Sequence, residues 1–152
     1  MSKSTREDII AKINPVKLTQ EQRRAQIDQR IGYIQDLVKP IRNHSITWIS
    51  KYITTMVGVG SAKRIAQWCK LTELSNKMYW TSIDWRGILN GQSNKPKEFS
   101  SEGLTVVENL VESFIVLYKL LLDQKNHTST KFIRNTVSDI EAIFKHLELC
   151  FK

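Results

Sequence analysis

Residues that make tight turns or cross-links are scarce in this chain. Its 152 residues include six glycines, three prolines and two cysteines. So few glycines and prolines argue against sandwiches, barrels and Rossmann-type folds, which need many turns. Cys69 and Cys150 are too few for a disulfide framework. The opening residues, Met-Ser-Lys-Ser-Thr-Arg-Glu-Asp, contain no apolar signal region. The most apolar stretch, Leu104 to Leu122, is interrupted by Glu108, Asn109, Glu112, Ser113 and Lys119, so it is no membrane span. Two tripeptides with the N-glycosylation pattern, at Asn43 and Asn126, have no meaning without secretion. The expectation is one domain over residues 1–152, cytoplasmic, with free thiols and no membrane contact.

What is present is apolar side chain and positive charge. Apolar residues make up 41% and charged residues 25%, enough for an ordinary core and too apolar for disorder. Twenty-three Lys and Arg face fifteen Asp and Glu, a net charge of +8 with an isoelectric point near 9.6. The surplus is segregated. Residues 1–99 hold 17 basic and 8 acidic side chains, whereas residues 100–152 hold 6 and 7. Between Lys39 and Lys97 there are ten basic residues against Glu73 and Asp84. Solubility does not require that segregation, whereas a surface facing phosphates does.

Apolar spacing reads as helices joined by short breaks. Ser4 to Glu7 has capping-box spacing and opens a helix that stops at Asn14-Pro15. A second box, Thr19 to Gln22, opens a helix with Ile27, Ile31, Ile34, Val38 and Ile41 on one face, kinked or ended by Pro40. A third helix covers Ile46 to Met56, broken by Gly58-Val59-Gly60. Ser61 caps a fourth, with Ile65, Trp68 and Leu71. Thr72 to Leu89 is helical in part, and Gly91 to Lys97 is a loop. Ser101 to Lys125 forms a long helix, and another runs from Ser129 on Ile133, Val137, Ile140, Phe144 and Leu147. The fold class is all-α, a compact helical bundle of five to seven helices.

Catalytic constellations are missing. Only His146 and Cys150 among possible metal ligands share a helix face, and two ligands do not make a site. No Arg is followed by a His four to six residues later, as small helical RNases of the HEPN type require. Glu108 and Glu112 read as a solvated face. Gly60-Ser61-Ala62-Lys63 lacks the Gly-Lys-Ser/Thr end of a phosphate loop. No enzyme activity, metal or cofactor is expected.

Four features bear on binding. Met56 to Ile65 places Gly58 and Gly60 between two expected helices and resembles the helix–hairpin–helix motif of non-specific DNA-binding proteins. Glycines there let backbone amides turn outward toward one phosphate, and the next helix adds positive dipole. Lys63 and Arg64 sit where a helix start disfavours cations, which suits an anionic ligand. The match departs from the motif at Arg64, where a small residue is usual, and a plain Gly-Val-Gly turn between core helices remains open. Trp48, Trp68, Trp80 and Trp85 lie among the basic residues and suit stacking on unpaired bases. Trp48 and Trp68 fall at core positions, whereas Trp80 and Trp85 flank Asp84 less regularly, so one of them is a candidate for exposure. Lys95 and Lys97 sit on a loop that either reaches a phosphate backbone or is an ordinary solvated connection. The 114–122 segment, apolar nearly all round, is bundle centre or also touches a partner.

The whole profile resembles the small subunits of multi-subunit CRISPR effector complexes. These are helical, basic and non-catalytic, line up in several copies, and present Lys and Arg to the guide–target duplex and the displaced strand. That resemblance, with the hairpin, implies a nucleic-acid-binding set of Arg42, Lys51, Gly58, Gly60, Lys63, Arg64, Lys70, Lys77, Arg86, Lys95 and Lys97. The implied partners are a DNA or RNA backbone, other protein subunits and further copies of this chain, in antiviral defence. The alternatives are a free-standing helix–hairpin–helix DNA-binding protein and a basic helical module that meets an acidic protein.

Overall fold

A computed structural model describes residues 18–43, 59–94, 97–123 and 129–152. They form four helices: α1 (Gln20–Asn43), α2 (Val59–Leu89), α3 (Ser101–Leu122) and α4 (Thr130–Cys150). The described residues contain no strand, so the class is all-α, with four helices against the expected five to seven. The difference has two sources. The helices expected at Ser4–Asn14 and Ile46–Met56 lie outside the described residues. The segments expected to start at Ser61 and at Thr72 are one continuous helix of 31 residues.

The start of α2 corrects the sequence reading. The helix begins at Val59, so Gly60 and Ser61 lie in its first turn and Ser61 is not the cap. Glycine weakens a helix through its backbone freedom, a cost of about 1 kcal/mol in the interior, and a helix end tolerates it. Pro40 does not end α1, which continues to Asn43. One hydrogen bond is lost close to the terminus, and Ile41, 2% exposed, holds the last turn against the core.

Several helix ends are as the spacing predicts. The Thr19 amide donates to the Gln22 side chain at 2.9 Å, and the Gln22 amide donates back to the Thr19 hydroxyl at 3.1 Å. Ser100 and Ser129 accept from the Gly103 and Phe132 amides at 2.9 and 3.1 Å. Gly91, at φ +68°, closes α2: the Gln92 amide donates to the Gly87 carbonyl and the Gly91 amide to that of Ile88.

Side-chain pairings set the arrangement. Arg24 bonds the Leu89 carbonyl, Arg86 bonds Asp28, and Arg42 bonds Asn76, so α1 and α2 are antiparallel. Arg23 reaches Ser101, Thr105 and Glu108, and Arg30 reaches Glu112, so α3 is parallel to α1. Lys70 meets Glu141 and Trp85 meets Phe151, so α4 is parallel to α2. Neighbours round the bundle are α1, α2, α4 and α3, and the 90–100 connection crosses the diagonal. All five predicted apolar positions of α1 are buried, as are Ile133, Val137, Ile140, Phe144 and Leu147 of α4. In the 114–122 segment Phe114, Ile115, Tyr118 and Leu121 are buried, whereas Val116 and Leu120 face outward.

One polar contact crosses the core diagonal. The Tyr118 and Ser75 hydroxyls are 2.7 Å apart, and Ser75 also donates to the Leu71 carbonyl. Burial raises the Tyr118 phenol well above its ordinary value, and the Ser75 bond works in the opposite direction. Tyr118→Phe is expected to cost about 1 kcal/mol, because the Ser75 hydroxyl keeps its bond to Leu71. Phe114→Ala, which leaves a cavity, is expected to cost about 3–5 kcal/mol. Urea denaturation of both variants measures the two losses; equal losses would contradict the assignment.

Candidate nucleic-acid interface

In an up-and-down bundle, charge is best counted by end rather than along the chain. The C-termini of α1 and α3 point the same way as the N-termini of α2 and α4, and α2 runs on past α1: Arg42 at the end of α1 meets Asn76, 17 residues after Val59. The half of α1 on that side carries Lys39 and Arg42, that of α2 carries Lys63, Arg64 and Lys70, that of α3 carries Lys119, and that of α4 carries Lys131 and Arg134. These eight cations stand with five acids: Asp36, Glu73, Glu112, Asp123 and Asp139. Among the described residues of the opposite half, eight cations stand with eight acids.

The helix termini sharpen the contrast. At the opposite end, α1 and α3 carry Glu21 and Glu102 in their first turns, the favourable sign for a helix start. At the basic end, neither α2 nor α4 has an acid in its first turn. Lys63 and Arg64 follow the start of α2, and Lys131 and Arg134 that of α4. Two dipoles and their nearest side chains therefore add potential of the same sign, which suits an anion.

The expected site residues separate into groups. Lys63 is exposed and Arg64 half-buried, both in the early turns of α2. Lys70 lies on the same line of the helix but pairs with Glu141 at 2.7 Å, and Lys145 stands 3.3 Å from that carboxylate. The Lys70 hydrogen bond, then that of Lys145, holds the Glu141 carboxyl below its usual range. Arg42 closes α1 and donates to Asn76 at 3.2 Å, with Lys77 exposed one position further along α2. Lys51, Gly58 and Lys95 lie outside the described residues. Gly60 lies in the first turn of α2, and the expected Gly-Val-Gly turn, which includes Gly58, lies partly outside the described residues.

Two expected residues belong elsewhere. Arg86 lies across α1 near the opposite end, donating to Asp28 at 2.8 and 3.2 Å and to Gln35 at 2.8 Å. A Cβ at Gly32 would stand 2.9 Å from the Arg86 guanidinium, so a larger residue there would shift the tip of that side chain. The cationic fork of Arg86 is matched by a carboxylate of its own chain. Lys97 is also at the opposite end, bonded to the Lys152 carbonyl and 5.6 Å from the Phe99 ring centre. Charge counting along the chain grouped both with the basic segment and missed Lys119, Lys131 and Arg134, whose signal was their place on the helices.

Among the described residues no three of His, Cys, Asp and Glu are placed to hold a metal. An open cleft of about 1040 Å³ at the opposite end is lined by Trp85, Gln92, Glu98 and Phe151 among others, with no histidine or cysteine. Cys69 and Cys150 are free, and burial raises the Cys150 thiol above its ordinary value. No described helix is long and apolar enough to cross a membrane. The comparisons are brief. No protein-family model, curated protein or solved structure matches the chain.

Arg86→Ala separates structural from binding cations. It leaves the Asp28 carboxylate without its guanidinium and is expected to cost about 1–3 kcal/mol of stability. Nucleic-acid affinity is expected to be unchanged at a temperature where the variant stays folded. Calorimetry and a binding titration on the same sample check both; weakened binding by a folded variant would return Arg86 to the interface.

Proposed function

We propose that this chain is a non-catalytic nucleic-acid-binding protein that holds a sugar–phosphate backbone at the basic end of its bundle. The observation that carries this reading is the pair of helix N-termini, those of α2 and α4, that point the same way with cations in their first two turns. Lys63, Arg64, Lys131 and Arg134 raise the potential there, and Lys39, Arg42 and Lys119 carry positive charge further along the bundle, near the ends of α1 and α3. Phosphates that approach this surface release condensed counterions, and that release drives binding without reading base sequence. Lys70 is a latent member of the set, held by Glu141 in the free protein.

Assembly with other subunits in the cytoplasm, as in the CRISPR complexes whose small subunits the chain resembles, is the setting we infer. A groove of about 710 Å³ between α3 and α4 supports it, with Val116, Leu117, Ala142 and Ile143 on its wall and Glu112 and Asp139 among its polar members. Val116 is 61% exposed, an apolar position that the bundle itself does not use.

The test is binding to duplex and single-stranded oligonucleotides of unrelated sequence at several salt concentrations. Lys63→Glu/Arg64→Glu is expected to weaken all of them to a similar degree and to flatten the slope of log affinity against log salt by about 1–2. Glu141→Gln, which loosens Lys70, is expected to strengthen binding a few-fold. An unchanged affinity and slope in the double variant would remove this end of the bundle as the binding surface.

A further inference from the structure

We propose that Trp80 is a stacking platform for an unpaired base and makes the phosphate-binding surface selective for single-stranded nucleic acid; this rests on the reading above. The four tryptophans are not equivalent. Trp68 and Trp85 are buried, Trp48 lies outside the described residues, and Trp80 is 54% exposed on α2. An indole this open in the middle of a helix contributes little to the core, so its role lies at the surface.

The ring is held ready for a ligand. The Arg42 guanidinium carbon stands 4.9 Å from the Trp80 ring centre and 4.3 Å from that of Tyr79. The Tyr79 and Trp80 rings meet edge to face, their centres 5.4 Å apart at 88°. Asn76 accepts from the same guanidinium at 3.2 Å. Arg42 thus lies against both rings and braces the indole, which stays 54% exposed. A braced ring loses little side-chain freedom when a base stacks on it. Every base has a π-face, so this contact is indifferent to sequence. A duplex keeps its bases stacked on one another, so only an unpaired strand gains from the indole.

The surroundings suit a nucleic-acid strand. Lys77 is exposed one turn before Trp80 on α2, and Lys39 is exposed one turn before Arg42 on α1. Both are placed for the phosphates on either side of a stacked base. Asp36, Glu73 and Asp84 are the acids within a turn of these residues. Ile83, 45% exposed and one turn after Trp80, extends the flat apolar surface. Arg42 closes α1 and brings its guanidinium to this platform.

Titrations of oligothymidylate and of a duplex of equal length, with wild type, Trp80→Ala, Trp80→Phe and Lys63→Glu/Arg64→Glu, test the proposal. Trp80→Ala is expected to weaken single-strand binding about tenfold and to leave duplex binding unchanged. Trp80→Phe keeps a ring for Arg42 and for the base. It is expected to retain most of the affinity while abolishing the quenching of tryptophan fluorescence that wild type shows on binding. The proposal is overturned if Trp80→Ala leaves single-strand affinity unchanged or weakens both ligands equally. If Trp80→Ala changes nothing while the double charge variant weakens both ligands, stacking is wrong and the phosphate reading stands. If wild type binds neither ligand, both are wrong. If Trp80→Ala spares single-strand binding but releases a co-purifying protein, the platform docks protein, and the proposal is also overturned.

Discussion

The contact of Arg86 with Asp28 sets the register of α1 against α2, and the candidate surface depends on that register. Two nitrogens of one guanidinium meet the two oxygens of one carboxylate, and a third bond reaches Gln35. A planar fork matched in this way tolerates little sliding along the helix axis. Gly32 opens the space that the fork occupies. With this register held, Arg24 reaches the carbonyls that end α2, and Arg42 arrives at Asn76, Tyr79 and Trp80. One arginine that the charge pattern marked for phosphate thus positions another that stays at the surface.

The described helices follow simple local rules with few exceptions. The reciprocal Thr19–Gln22 box, the Ser100 and Ser129 caps and the Gly91 closure all satisfy orphan amides or carbonyls with the nearest suitable group. The exceptions are electrostatic. Acids stand at the starts of α1 and α3, where the dipole favours them, and cations at the starts of α2 and α4, where it does not. Arg30 compensates Glu112 and holds its carboxyl below the usual range, whereas the α2 and α4 starts gather positive charge. An anionic ligand relieves that repulsion, which is why its binding and the local charge arrangement go together.

Charge neutralisation inside the chain decides which cations remain available. Arg23, Arg30 and Arg86 each meet a carboxylate of a neighbouring helix, and Lys70 meets Glu141. Those pairs hold α1 to α2 and α3, and α2 to α4. Lys63 and Lys77 lie exposed on α2, and Arg42 packs against rings and Asn76. Binding surface and bundle cement are therefore made from the same residue types, sorted by whether a facing helix supplies an acid.

Local pattern determined most of the helical structure. Steps of three and four placed Ile27, Ile31, Ile34, Val38 and Ile41 on the buried side of α1, and hydroxyl-bearing residues marked the starts of α1, α3 and α4. Pattern failed where a local breaker was overruled. Gly60 sits in the first turn, where the entropic cost of glycine is small against the rest of a 31-residue helix, and Pro40 is carried because Ile41 is held in the core. The site was less legible, because charge density along a chain carries no information about which ends of the helices meet. Chain order put Arg86 and Lys97 with Lys63, and only packing moved them to the far end and brought Lys119, Lys131 and Arg134 in. The sequence alone narrowed exposure to Trp80 or Trp85. The structure decides it, because the Trp85 ring lies 4.9 Å from that of Phe151 inside the core, whereas α2 turns Trp80 toward solvent. Periodicity is a property of neighbours in sequence and can be read there, whereas the pairing of charges and the exposure of a ring belong to helices far apart in the chain.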